Sequence, residues 1–305
     1  METRVLPFSD ESIAEAARLI LDGQPVAAPT ETVYGLAADA TNAEAVARIY
    51  EAKGRPSFNL LIVHVPNLET AQRIGEFGAE AVALSREHWP GPLTLVVPLR
   101  PDAEIASLVT AGLPSVGLRV PDHPAMQALL RACNRPLAAP SANASGSISP
   151  TRAEHVLKSL GGRIPLIIDG GATKRGIEST IVASTGGPLR LLRRGPIEVD
   201  ALEGPQGSVI EAPGQIASHY APSKPLRLNI ENADRDEYLI GFGATAGDSS
   251  LSPTGDLVEA AAKLFDLLHD ADASGKPRIG VAPVPNEGLG AAINDRLKRA
   301  AAGRD

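Results

Sequence analysis

The residues best suited to chemistry fall in separated stretches of the chain. PTETVYGL carries Thr30, KGRPSFNLLIVHV carries Lys53, Arg55, Asn59 and His64, and APSANASGSISPT carries Ser141, Asn143 and Ser149. Thr30, Lys53, Arg55, His64, Ser141 and Asn143 read as lying beside chain turns rather than inside periodic core segments. Two neighbouring cations with hydroxyl and amide groups, and no nucleophile–base pair, describe a site that holds anions. Lys53 supplies a point charge and Arg55 a planar fork. Ser141 and Asn143 sit on a Gly/Ser-rich loop that leads into a helix N-terminus, where further donors can meet a phosphate. A cation at the position of Lys53, in the last turn of a helix, is also explained by the helix dipole alone. In SVGLRVP the strand alternation sends Val116, Leu118 and Val120 to one face and Gly117 with Arg119 to the other. Arg119 therefore reads either as a group that reaches a carboxylate or phosphate or as an ordinary solvated strand residue. ESTIV, with Glu178, Ser179 and Thr180, opens a strand, and Arg193 with Arg194 closes another in LLRRGP. The set suits phosphoryl or nucleotidyl transfer, which needs positioning and charge stabilisation more than covalent residues.

Several other chemistries are disfavoured. There is no G-x-x-x-x-G-K-[ST] loop, and GFGATAG has the wrong spacing for a dinucleotide fingerprint. The six histidines show no H-x-x-x-H or Cys/His pairing, so no zinc site is indicated. Ser141 lies in PSAN rather than in a nucleophile elbow. A net charge of −7 argues against a general grip on long nucleic acid. Cys133, the single cysteine, sits on the helical pattern AMQALLRAC and reads as a buried small residue. No signal peptide and no apolar run long enough for a membrane span are read, which predicts a cytoplasmic protein without membrane contact.

The elements that must position these residues alternate between short strands and helices. Ser9 or Asp10 caps a helix over SIAEAARLILD that stops at Gly23. PVAAP reads as a strand and NAEAVARIYEAK as a helix ending before Gly54. LLIVHV, TLVVPL, SVGLRVP, PLAAP, PLIIDG, STIVAS and LRLLRRG follow as strands. Thr151 and Glu154 form a predicted capping box. Only 3% of residues are aromatic, so the core is built from Ala, Val, Leu and Ile. This order predicts an α/β fold whose sheet need not be all parallel. From Leu202 to Leu226 the Gly/Pro-rich texture reads as a linker between a domain over 1–201 and a smaller α/β unit over 227–305.

Taken in order, PTETVYGL, KGRPSFN-LIVH, WPGPLT, SVGLRVP, APSANxSGxxSPT, IIDGG and GIESTIV resemble the YrdC/Sua5 family. HYAP, SPTGDLVEAAAKLF and GLGAAINDRLKRAA are similar to the Sua5-type C-terminal domain. The resemblance implies a YrdC-like twisted mixed sheet with flanking helices, plus a small Rossmann-like α/β domain. It implies a nucleotidyltransferase that forms L-threonylcarbamoyladenylate and pyrophosphate from L-threonine, bicarbonate and ATP. That is the first stage of the t6A modification at position 37 of tRNAs that read ANN codons. The product would pass to a downstream t6A transferase complex, with RNA contact at most indirect. Carried over residue by residue, the K-x-R and S-x-N signature falls on Lys53, Arg55, Ser141 and Asn143. The threonine pocket would involve Thr30, His64, Arg119 and Ser179. ATP contacts would come from Lys53, Arg55, Asn59, Ser115, Ser141, Ser149 and Arg193. Magnesium would be held by the triphosphate rather than by protein side chains. Two positions depart from the family pattern: Leu60 stands where many relatives have proline, and Ala217 where some have a linker tyrosine, leaving Tyr220 as the substitute. An RNA-binding module, a carbamoyl-adenylate enzyme with another acceptor, and an inactive regulatory relative are the alternatives.

Overall fold

The computed structural model describes residues 2–54, 60–203, 212–213 and 219–302. Arg55, Asn59 and Ala217 lie outside the described residues. The chain opens with β1 (Arg4–Pro7), α1 (Asp10–Leu21), β2 (Val26–Pro29), β3 (Tyr34–Asp39), α2 (Ala43–Lys53) and β4 (Ile62–His64). Then come α3 (Leu68–Gln72), α4 (Ala79–His88), β5 (Leu93–Pro98), α5 (Ser107–Thr110), β6 (Ser115–Arg119), α6 (Pro124–Cys133) and β7 (Leu137–Ala138). α7 (Ala153–Leu160), β8 (Leu166–Asp169), β9 (Thr180–Ala183), β10 (Arg190–Arg193) and β11 (Leu202–Glu203) complete the first part. The second part contains β12 (Leu226–Leu228), β13 (Glu237–Gly241), β14 (Ser249–Ser250), α8 (Leu257–Ala273), β15 (Arg278–Val281) and α9 (Leu289–Ala301).

The first eleven strands form one mixed sheet in the order β1-β8-β2-β3-β7-β4-β6-β5-β9-β10-β11. The last four form a second sheet, β12-β15-β13-β14, whose paired strands are all parallel. The expected α/β architecture is therefore present. β3 was not among the expected strands, because YGLAAD is rich in Ala and Gly and has weak strand propensity. Pairing with β2 and burial on both faces override that preference.

Ser9, not Asp10, caps α1, in a reciprocal box with Ser12. Gly54, with φ of 58°, ends α2 in the left-handed conformation expected of a helix-terminal glycine. The predicted box of Thr151 with Glu154 does not form. Arg152 is the N-cap of α7 without a side-chain bond, and the Thr151 hydroxyl instead faces His155 Nδ1 at 3.3 Å and Asp266 Oδ1 at 3.5 Å. The Thr151 backbone N–H donates to His155 Nδ1 at 3.3 Å instead of to Glu154, and its hydroxyl, an acceptor in such a box, donates to Asp266 of α8. β6 lies between β4 and β5, and its residues from Val116 to Arg119 are buried on both faces, so Arg119 is not a solvated strand residue. Cys133 is buried as expected, and burial pushes its thiol up to about 12.

The core around α8, α9 and the second sheet also includes Val33, Ile148, Ile177 and Tyr220 from earlier in the chain. The two sheets thus share apolar contacts. At the seam, Arg152 donates to Asp266 at 2.7 and 3.0 Å, and the rings of His155 and His269 stack with centroids 3.8 Å apart.

Candidate active site

A cleft of about 600 Å³, open mouth included, lies between the β2–β3 turn, β4, β6, the loop after β7, the start of β9 and the end of β10. The turn is built by Thr30, whose hydroxyl accepts from the backbone N–H groups of Thr32 and Val33 and donates to Val33 O at 2.7 Å. A hydroxyl that closes its own turn in this way fixes the loop without regular structure. Thr32 then accepts from Arg119 Nη1 at 3.0 Å. Arg119 also donates through Nε to Gly91 O at 3.2 Å and through Nη2 to Glu31 at 2.5 Å. The second oxygen of Glu31 accepts from the Asp122 backbone at 2.9 Å. Arg119 therefore reaches the cleft as half of a buried ion pair with its orientation set before any ligand arrives.

His64 ends β4 beside Arg119, and its Nδ1 is buried without a partner. Burial, reinforced by the Arg119 charge, lowers its pKa to about 3, so the ring is neutral. An unpartnered polar atom in such a place is a candidate ligand contact.

On the opposite wall the α2 terminus grips the SAN loop. Lys53 Nζ donates to the carbonyls of Ser141 at 2.5 Å and Asn143 at 2.6 Å, and Lys53 O accepts from Ser145 N at 2.9 Å. The Asn143 amide donates to Ala144 O and Ser147 O, while its Oδ1 is buried and unpartnered. Ser141 bridges to Gly35 of β3 and so enters the wall. At the third side Arg193 orients Ser179, through Nε to its carbonyl and Nη2 to its hydroxyl, both at 3.0 Å. The Ser179 hydroxyl also meets Thr94 at 2.8 Å. Arg193 Nη1 donates to Pro213 O at 3.2 Å, which ties a described piece of the linker to the cleft.

Six of the expected residues thus line one cleft: Thr30, His64, Arg119, Ser141, Ser179 and Arg193. Lys53, Asn143 and Ser149 do not line it; they are buried and hold the loop that does. Ser149 donates to Glu178 Oε1 and has no exposed surface. Ser115 is also outside the lining, at the other end of β6, roughly 13 Å along the strand from Arg119.

Glu31, Thr32, His219 and Arg296 are cleft or supporting residues that the sequence reading did not assign, and Tyr220 lines the cleft in the place expected of a linker aromatic. Arg296 left one signal. It falls three residues after Ile293 and next to Leu297 on the apolar face of α9, where a charge is out of pattern. Burial alone would raise the Glu178 carboxyl. Arg296, Arg193 and the Ser149 hydroxyl together hold it below its ordinary value.

The family model for Sua5, YciO and YrdC, described as "Telomere recombination", matches residues 18–195, more than half of the chain. The chain belongs to this family. A second model, "Threonylcarbamoyl-AMP synthase, C-terminal domain", matches residues 173–302. Members similar to this chain over nearly its full length include the threonylcarbamoyl-AMP synthase of Bacillus subtilis (strain 168), 40% identical over 99% of this chain and 96% of that protein. The enzyme of that name from Pyrococcus abyssi (strain GE5 / Orsay) is 38% identical over 93% of this chain and 92% of its own length. Among solved structures, P. abyssi Sua5 complexed with L-threonine superimposes with a TM-score of 0.89 at 35% identity, covering 99% and 98% of the two chains. Family membership accounts for the mixed sheet, and the second match extends it through α9.

Proposed function

We propose that this chain is a threonylcarbamoyl-AMP synthase, forming L-threonylcarbamoyladenylate and pyrophosphate from L-threonine, bicarbonate and ATP. The observation that carries the reading is the cleft itself: oriented arginines, hydroxyls and one neutral imidazole with an unpartnered nitrogen, in a chain with synthase relatives along its whole length. The threonine nitrogen attacks the carbon of CO2, formed from bicarbonate by loss of hydroxide; the proton the amine gives up turns that hydroxide into water and leaves N-carboxythreonine. An oxygen of that new carboxylate attacks the α-phosphorus of ATP. The P–O bond to the leaving group breaks and pyrophosphate departs with its electron pair.

Charge positioning drives both steps. Arg119 has five N–H donors, three of them committed inside the protein; the other two serve the threonine carboxylate. Thr30, His64 and Ser179 surround the amine and side chain. A neutral His64 accepts one hydrogen bond there without adding charge. A site that hydrogen-bonds the β-hydroxyl rejects analogues lacking it. Arg193 and Ser141 face the nucleotide, joined by Arg55 and Asn59. Lys53, Asn143 and Ser149 act by setting the loop, and Ser115 meets the nucleotide's outer end.

Magnesium enters on the triphosphate, bound through phosphate and water oxygens. In support, the cleft carboxylate Glu178 and the buried Glu31 are already paired with Arg296 and Arg119 respectively. Among the described residues no helix is long and apolar enough to cross a membrane. The reading places the enzyme in the cytoplasm, supplying a t6A transferase complex.

The test is incubation with ATP, magnesium, bicarbonate and labelled threonine, with product followed by mass and pyrophosphate release. Threonylcarbamoyl-AMP in proportion to pyrophosphate is expected. No product, under conditions where the B. subtilis enzyme works, overturns the assignment.

A further inference from the structure

The second sheet and its helices supply no residue to the cleft wall among those described, since all the lining residues precede position 221. One of their side chains nonetheless reaches the back of that wall. Arg296 on α9 has no exposed surface. Its Nε donates to Glu178 Oε2 at 3.1 Å, and Nη1 donates to Arg194 O at 2.7 Å and to Asp295 Oδ2 at 3.2 Å. The guanidinium carbon stands 5.8 Å from the centre of the Tyr220 ring, within cation–π range. Nη2 is buried and unpartnered. Glu178 and Tyr220 line the cleft, and Arg194 directly follows Arg193, which also lines it.

Stability alone does not account for this residue. A buried ion pair is commonly no better than an apolar side chain of similar volume, and neither N–H of Nη2 here has an acceptor. What Arg296 does locally is engage Glu178. That carboxylate feels two cations, Arg296 and Arg193, and its other oxygen accepts from Ser149. Without Arg296, the remaining cation that acts on Glu178 is Arg193. A carboxylate drawn to Arg193 would neutralise the cleft's phosphate-facing charge and disturb Ser179, which Arg193 orients.

We propose that Arg296 is a positioning residue for nucleotide binding: by engaging Glu178 it leaves Arg193 to the phosphates, and it makes the cleft depend on docking of α9. The inference rests on the ATP-binding role given to the cleft above. The second domain then contributes to the reaction through a side chain that touches no substrate.

The full-length chain is compared with Arg296→Gln, Arg296→Lys and the double variant Arg296→Gln/Glu178→Gln. ATP affinity is measured by calorimetric titration, and KM and kcat by product formation. Arg296→Gln raises the ATP Kd and KM at least tenfold, with kcat at saturating ATP and the threonine KM within threefold of the unaltered chain. Arg296→Lys, which keeps the charge, stays within threefold throughout. The double variant, which leaves no unpaired carboxylate, recovers ATP affinity to within threefold. A packing role predicts lower thermal stability without this split and no recovery on adding Glu178→Gln; either result overturns the proposal. Should Arg296→Gln not fold, the double variant carries the test: an ATP Kd within threefold supports the proposal, and a weaker one overturns it. An unaltered chain that fails to bind ATP overturns the functional reading itself. One that binds ATP no better than folded Arg296→Gln overturns only the role of Arg296.

Discussion

At the scale of single residues, the cleft is made of groups whose orientation is fixed by neighbours in the protein. Lys53, buried behind the wall, is the clearest case of a residue that fixes them. Its ammonium bonds two carbonyls of the SAN loop, so its charge and its scaffolding act at the same place. In Lys53→Glu a carboxylate faces those carbonyl oxygens and the loop loses its anchor. Pyrophosphate release is expected to fall to near background, and near-normal turnover would remove Lys53 from the site. Glu31 is the second case. Glu31→Ala leaves Arg119 buried without its counter-ion, and breaking one side of such a pair costs about 3–5 kcal/mol. Urea unfolding should report a loss of that order, with a higher threonine KM in whatever fraction stays folded. A variant as stable as the unaltered chain would mean that Arg119 finds another partner.

At the scale of elements, the seam that α8 makes with α7 and with the loop between β8 and β9 carries both chemistry and a close approach. Gly176 adopts φ of 67°, and a Cβ there would lie 2.2 Å from the carbonyl oxygen of Ala262 in α8. Gly176→Ala combines left-handed strain, of order 1–3 kcal/mol, with that clash, so a lower melting temperature and faster hydrogen exchange along α8 are expected. Unchanged exchange would show that the loop yields without moving the helix. The same seam holds the stacked His155 and His269, facing Asp266 and Arg152 with Lys158 and Asp272 nearby. Burial lowers their pKa values to about 3 and about 4, as it does that of His64. Each ring takes up a proton more readily when unfolded. The unfolded state therefore binds more protons below pH 6.5, and stability falls as pH falls from 6.5 toward 4. For fully buried His64 the slope approaches about 1.4 kcal/mol per pH unit well below 6.5. Well above 6.5, where the unfolded imidazoles are neutral too, these groups contribute no pH dependence. The melting temperature should be lower at pH 4.5 than at 7.5, and an equal or higher value would contradict the neutral, buried state of these rings.

At the scale of the whole molecule, the two sheets are joined by a common apolar core. Val33, Ile148 and Ile177 belong to the core of the second sheet although they lie between elements of the first. Calorimetry of the full chain should therefore give one cooperative unfolding transition. Two well-separated peaks would mean that the junction contributes little. The shared core also gives the Arg296 contact its rigidity, because Ile293, Leu297 and Ala300 of the same helix are buried in it and hold α9 in place.

Much of this was legible in the amino-acid order. Strands such as TLVVPL and PLIIDG are short runs of buried aliphatic residues bounded by turn signals, and Gly54 marks the end of α2, because these features depend on neighbours in the chain. Thr30, His64, Arg119, Ser141, Ser179 and Arg193 were also legible as a set, through the ordered motifs that carry them. What the chain order could not determine was partnership across long separations. Glu31 pairs with Arg119 across 88 positions and Glu178 with Arg296 across 118. YGLAAD becomes a central strand only because β2 and β7 flank it. Thr151 forms no cap with Glu154, and its hydroxyl turns to Asp266, 115 positions away. Local sequence dictates dihedral preferences and apolar periodicity, whereas the pairing of buried charges is chosen by whichever groups the folded core leaves without water. Only the tertiary structure decides that.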